Sequence, residues 1–404
     1  MTKLYFDFRD LFRAARLGLS GKKMGLCFLG ILVAYVGCAV LTYVALLASG
    51  LGLGSIWRAY RLFPLAMVDQ FRWYSWVIYA IGILFALVVL LLTSAAVSKI
   101  TYQQLKGDDF YSAGDAKKFV AKKWKAVVFS PLGILGIVVF FLVSGVIVGL
   151  LGRIPYVGEI GFSVFSLPIF FAAFFTVFLG LVLFVSLILS PAIVGTTGED
   201  TVETITQVFS SIWSQPWRFV VYEGLLAGII GLGTYILAIF TVNGLSLISW
   251  FCGLTMGTKL PELSKVAIGY TPTWGWFKSL VGKIPYIKVL VPNFAEVSGT
   301  GGTVLVSGVI AGVMLVLIIG FVFSYSLAIW NAGQTLTYLI LRKKKDDENL
   351  LERKEEEEEE KKVEEERPKE TEEKEEKKAE EPKKEEPKKA EETQEKAEEE
   401  KDKG

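Results

Sequence analysis

One carboxylate stands inside an apolar run. Glu223 lies about five residues into a stretch covering residues 219–242, roughly 8 Å along a helix at ~1.5 Å per residue. An ionisable group in hydrocarbon is costly and marks a proton or ion site, unless it reaches the interface or pairs with a cation, here Lys125 or Arg218. Asn331 and Gln334 sit three apart in another apolar run, on one helical face. They are expected to hydrogen-bond to a neighbouring helix, a contact worth about 0.6 kcal/mol. Glu223, Asn331 and Gln334 are the candidate intramembrane polar residues.

Other chemistry is hard to build from this chain. A lipid-acting enzyme would need clustered acids at the interface, and Asp108, Asp109, Glu199 and Asp200 are the available set; their placement reads as helix starts rather than metal ligands. There is no histidine, which removes the usual imidazole base and most zinc and haem sites. Cys27, Cys38 and Cys252 form no CxxC pair and read as small apolar fillers. No G-x-S-x-G or phosphate-binding loop occurs, because Gly299-Thr300-Gly301-Gly302 lacks the Lys and Ser/Thr that should follow. No catalytic residue, metal ligand or cofactor site is assigned, no cofactor is expected, and the balance leans away from an enzyme. No continuous basic patch points to nucleic acid.

The elements that must position the polar residues are apolar helices. Six runs, 24–48, 74–97, 126–151, 165–190, 219–242 and 303–341, are each long enough to cross a bilayer, which takes about 20 residues. The fold class is therefore all-α, a polytopic membrane protein with about six spans. The near-neutral total charge conceals two opposed parts. From Arg342 onward stand 20 basic and 29 acidic residues, which leaves 23 and 13 before it. Lysines and arginines gather before the first run, between the second and third, and after the sixth. The positive-inside rule then places both termini in the cytoplasm. The first run follows an acid-containing amphipathic segment and is expected to be a retained anchor rather than a cleaved signal. Residues 1–23 are read as a cytoplasmic amphipathic helix, 24–341 as the membrane domain with an outer loop at 250–302, and 342–404 as a charged tail.

The spans group into three pseudo-repeated units, each an amphipathic helix followed by a two-span hairpin. The apolar faces are Phe8, Leu11, Phe12, Ala15 and Leu19; then Ala116, Phe119, Val120 and Trp124; then Val202, Ile205, Phe209, Ile212 and Trp213. Trp124-Lys125-Ala126-Val127-Val128-Phe129 is echoed by Trp217-Arg218-Phe219-Val220-Val221-Tyr222, and Gly107-Asp108-Asp109 by Gly198-Glu199-Asp200. On the far side Gly152-Arg153-Ile154-Pro155-Tyr156 matches Gly282-Lys283-Ile284-Pro285-Tyr286. The first two amphipathic helices can lie in the headgroup plane with Lys and Arg on anionic lipid, or pack on the bundle; the third is expected to pack on protein. Pro131, Pro168 and Pro191 can kink or end spans. Gly145/Gly149, Gly224/Gly228 and Gly308/Gly312 read mainly as intrachain packing, with a homo-oligomer seam as the alternative.

Ser190-Pro191-Ala192-Ile193, Gly198-Glu199-Asp200, Ser214-Gln215-Pro216-Trp217-Arg218, the Ile154–Glu159 turn and Tyr338-Leu339-Ile340-Leu341-Arg342 together resemble a pattern in bacterial polytopic membrane proteins of no assigned activity. The resemblance covers roughly residues 95–345 and implies a bacterial inner membrane. The chain departs from it at Thr201-Val202-Glu203, where those proteins carry an aspartate-rich helix start, and in its charged tail. More loosely, the repeated hairpins are similar to the non-catalytic membrane region of some glycerophosphodiester phosphodiesterases, whose catalytic domain has no counterpart in these residues.

In the outer loop Trp274, Trp276, Phe277, Leu280 and Ile284 predict an aromatic helix on the interface or a small lid. Early Glu/Lys spacing in the tail supports a solvated helix, and the later Glu-Glu-Pro-Lys-Lys repeats read as disordered, a solubilising cytoplasmic extension with a docking segment for a cytoplasmic partner as the sharper alternative. The function these features favour is non-enzymatic membrane organisation or partner recruitment. The alternatives are a transporter or channel with a site near Glu223, and a lipid-acting membrane enzyme.

Overall fold

Backbone groups in hydrocarbon must be paired within their own segment, so helices are the economical answer for chains of this composition. The computed structural model describes residues 3–60, 62, 64, 72–270 and 302–352, and its regular elements are all helices. All but Glu352 belong to one unit, Met1–Leu351. The expected aromatic helix of the outer loop, Tyr286 and the tail from 353 lie outside the described residues.

Among the described residues six helices are long and apolar enough to cross a membrane: α3 (Gly21–Ala48), α5 (Trp73–Lys106), α6 (Ala113–Leu151), α8 (Ser166–Thr197), α10 (Pro216–Met256) and α12 (Gly302–Asp346). The protein is an all-α, multi-pass membrane protein. Shorter helices lie between and before them: α1 (Phe8–Leu11), α2 (Arg13–Gly18), α4 (Leu53–Tyr60), α7 (Val157–Val164), α9 (Thr201–Ser214) and α11 (Lys259–Tyr270). Consecutive spans pack as hairpins, α3 on α5, α6 on α8 and α10 on α12. Lys344 Nζ lies 2.7 Å from Asp7 Oδ1, Lys22 donates to the Asp109 carbonyl at 3.1 Å, and Tyr102 OH donates to the Leu350 carbonyl at 2.8 Å. These contacts gather the chain before α3, the α5–α6 turn and the end of α12 on one side, the basic side.

Several expectations change in detail. The second amphipathic segment is no separate interfacial helix. Ser112 caps it by accepting from the Asp115 N–H at 3.1 Å, and α6 then runs unbroken into the membrane, because nothing between Gly114 and Pro131 interrupts it. The third segment does stand alone as α9, since Pro216 occupies the first turn of a new helix. The first is split at Phe12, and its buried face is Asp10, Leu11, Ala14 and Gly18, not the full apolar set; Phe8, Phe12 and Leu19 are exposed. Pro131 and Pro191 lie inside continuous helices, and Pro168 sits in the first turn of α8. The fifth span continues past 242, and Cys252 is inside α10. Among the described residues Gly145, Gly149, Gly224 and Gly228 have no neighbour against which a side chain would press, whereas Gly308 lies close to Val266 of α11 and Gly312 is buried.

The core is concentrated at the basic side. Residues 331–341 of α12 are buried without exception, which requires partners all round. Helices α2, α3, α5, α8, α9 and α10 supply them. Towards the far side the bundle loosens: no residue of α6 beyond Ile134 is buried, and none of α8 before Leu179. Exposed aromatics mark both levels, Trp124, Trp213 and Trp217 at the basic side and Trp73, Trp76, Tyr156 and Trp250 at the far side, as interfacial rings do.

Gly107 and Gly198 end α5 and α8 with positive φ, +107° and +68°, a conformation that costs a side-chain-bearing residue more than glycine. The chain after α12 folds back beneath the bundle. Asp347 turns with φ +55°, and Leu350 and Leu351 enter the core. Tyr102→Phe would leave the Leu350 carbonyl without its donor. The expected loss is about 1 kcal/mol in denaturant-titrated unfolding of the detergent-solubilised protein.

Candidate functional site

The buried polar groups form a belt around the inner half of α12. Gln334 is 1% exposed and donates through Nε2 to both carboxylate oxygens of Glu223, at 2.8 and 2.9 Å. Pairing with Lys125 or Arg218 is one of the alternatives the sequence leaves for Glu223; its partner here is an amide from the central helix. Asn331, one turn towards the far side, directs Nδ2 at Cys27 Sγ, 3.9 Å away on α3. The three candidate residues thus do not form one cluster. Glu223 and Gln334 pair across α10 and α12, while Asn331 faces the first hairpin.

Lys23 is the belt's least expected member, since in the sequence it counts only towards topology. Its side chain is fully buried, and Nζ donates to the Leu17 carbonyl at 3.0 Å and to Gln104 Oε1 at 2.8 Å. Arg342 closes the belt at the basic side. It contacts Gln207 Oε1 and Glu348, whose Oε2 lies 3.1 Å from Nε and 3.0 Å from Nη2, and Asp346 at 3.0 Å. Gln207 in turn donates to Glu203 at 2.7 Å. Outside the spans the Lys344 ammonium holds the Asp7 carboxyl below the usual carboxylate range by hydrogen bond and charge.

Some buried polar atoms have no hydrogen-bond partner: Ser98 Oγ on α5, and Gln334 Oε1, Thr337 Oγ1 and Tyr338 OH on α12. Such atoms are uncommon in native interiors and fall where water, an ion or a moving group can complete them. Chemically the belt can hold a proton on Glu223 and offer hydroxyls and amides to a small polar species. Beside it lies an apolar groove of about 610 Å³ between the N-terminal helices and α10, with Phe12, Leu19, Gly228, Leu232, Phe240 and Tyr325 in its walls.

Two of the four acids of the enzymatic reading do other work. Asp108 Oδ1 accepts from the Phe110 and Tyr111 N–H groups at 3.0 and 3.1 Å, and Asp200 precedes α9 and pairs with Lys123 at 3.0 Å. Among the described residues no group of three or more His, Cys, Asp or Glu could hold a metal ion. The serine and threonine members of the belt were not legible in sequence, because isolated hydroxyls in apolar runs usually bond to their own helix, as Thr101 and Thr335 do here. The chain matches no protein-family model, no curated protein and no solved structure.

Proposed function

We propose that the protein organises the membrane around it without catalysis, gathering anionic lipid at its basic, cytoplasmic side and recruiting soluble partners through its charged tail. One observation carries this reading: the N-terminal helices pack on the bundle through Leu11, Ala14 and Gly18 while turning Phe8, Phe12 and Leu19 outward. Arg9 and Arg16 on the same short helices are exposed. Apolar side chains beside arginine are what an interfacial helix needs to enter the headgroup boundary of an anionic bilayer. The two Gly-acid-acid turns that end α5 and α8 support descent of the hairpins from one repeated unit, and a bacterial inner membrane fits the charge bias.

The test is lipid redistribution around the full chain in proteoliposomes, read by energy transfer from a protein label to labelled phosphatidylglycerol. The wild type should enrich the labelled lipid, and the F8S/F12S/L19S variant should do so less. An even lipid distribution around the wild type would overturn the reading. Recruitment is tested separately by copurification with residues 353–404 present and deleted; identical partners in both would remove the tail from it.

The Glu223–Gln334 pair favours one second reading, a proton-coupled transporter. Under it, proteoliposomes should carry a proton flux that Glu223→Gln abolishes.

A further inference from the structure

One side of α10 is built without bulk. Gly224 and Gly228 lie about one turn apart, and a β-carbon at either would meet no atom within 4 Å. They open the apolar groove of about 610 Å³, which follows α10 from Gly224 to Phe240. Sixteen residues of helix make that course about 24 Å long. Phe12, Ala15 and Leu19 wall it on one side, and Tyr325 of α12 also lines it. The one hydroxyl among the lining residues is on Tyr325, and it donates to the Ala15 carbonyl at 3.1 Å. Water held in a cavity needs two or more polar partners, which these walls do not supply. An empty notch would forfeit dispersion contacts along its whole lining. The medium beside a membrane helix is hydrocarbon chains, and one leaflet of them is about 15 Å deep. The groove is long enough to take a chain over that depth.

Charge gathers beyond the basic-side end of the groove. Asp7, just before α1, pairs there with Lys344 of α12 at 2.7 Å. Arg9 is close enough to act on Asp7, and Arg218 on Lys344. Both arginines are exposed. Three cations against one carboxylate leave two positive charges in this cluster. Arg218 precedes Gly224 on α10, and Arg9 precedes Phe12 in the N-terminal segment, so both lead into the groove. We infer that the groove holds one acyl chain of an anionic phospholipid, whose headgroup lies at Arg9 and Arg218. The glycines supply room for the chain, and the two guanidiniums, on separate elements, supply the preference for a charged headgroup. A second copy of the chain is the poorer occupant. A seam between two α10 helices would need their glycines to meet, and the groove's wall of Phe12 and Leu19, both exposed, stands along that strip. The inference rests on the anionic-lipid reading above for the headgroup, and it adds the place and the residues.

The experiment uses the full chain in phosphatidylcholine liposomes that contain phosphatidylglycerol with a diazirine halfway along one acyl chain. After illumination, peptide mass spectrometry locates the crosslinks. The wild type should be labelled between Gly224 and Phe240 more heavily than on the exposed side of α6 around Gly145. Gly224→Leu/Gly228→Leu fills the notch without a clash and should remove most of the groove labelling while the labelling of α6 stays. Gly145→Leu, equally free of clashes, should leave the groove labelling unchanged. Arg9→Gln and Arg218→Gln should each lower the yield about fivefold, the effect of one basic contact near the surface. Neither should change the yield from a phosphatidylcholine probe with the same diazirine. The lipid enrichment tested above should survive Gly224→Leu/Gly228→Leu, because that variant keeps every cation and Phe8, Phe12 and Leu19. Groove labelling without enrichment would keep this site and sink the broader reading. Four results would each overturn the inference: equal labelling of groove and α6 in the wild type; groove labelling that the glycine double variant retains; equal groove yields from the two probes; or an unlabelled groove in a wild-type dimer that the double variant splits.

Discussion

Gly195→Val should drive α5 and α8 apart and cost the bundle about 3 kcal/mol, the upper end of what overpacking usually costs. A β-carbon built at Gly195 would sit 2.7 Å from Ser98 Cβ, 2.9 Å from the Ala95 carbonyl oxygen and 3.0 Å from the Lys99 nitrogen. Two of these are backbone atoms of a buried helix, so no rotamer change relieves them. Membrane helices gain their stability from such close approach, because lipid tails offer apolar side chains much the same environment as protein does. Alanine at this position should already be harmful, since the first added carbon makes the clash. Gly228→Val is the matched control: no atom lies near enough to its β-carbon to resist. Unfolding by added SDS in mixed micelles, followed by helix content, compares the three. Equal resistance of wild type and Gly195→Val would show that α5 and α8 are not in contact there.

Gln334→Leu should destabilise the protein by about 2 kcal/mol, the scale of a hydrogen bond to a charged group. The Glu223 carboxylate loses the only donor the described residues give it, and it stays partly buried in the α10–α12 seam. The cost comes from the stranded acceptor more than from the missing bond. Removing both partners as Glu223→Leu/Gln334→Leu should therefore recover most of the loss. The same micelle titration measures all four proteins of this cycle. If the single Gln334→Leu variant is as stable as the wild type, the amide does not hold Glu223. If the double variant is fully stable, the pair is dispensable for folding, which makes any loss of proton flux at Glu223 directly interpretable.

The spans were legible because twenty apolar residues announce a bilayer crossing whatever the helix touches. Their neighbours were not, for the same physical reason: in lipid, hydrophobicity does not distinguish a protein-facing side from a lipid-facing one. The apolar residues of α12 alone do not separate 331–341, buried without exception, from residues 302–321, where only Gly308 and Gly312 are buried. The polar residues gave a partial signal. Glu223 and Gln334 could be singled out as costly in hydrocarbon, but pairing them across 111 residues needed coordinates. Lys23 reads in sequence as one of a row of topological charges, and only its packing against Leu17 and Gln104 sets it apart. The Leu350-Leu351 pair was hidden by its setting, two apolar residues at the start of a run of Glu and Lys.

The position of α12 has a consequence for biosynthesis. The helix that the others surround is the last of the six to leave the ribosome. Until it does, α3 waits in the bilayer with Cys27 facing no central partner, and the closing turn at Asp347 has yet to be made. Assembly must then be held over until translation has passed Leu351. An arrested chain ending within α12 would sit in the membrane with its first two hairpins joined through α5 and α8 but without the central helix, a substrate for quality-control proteolysis rather than a smaller version of the finished protein.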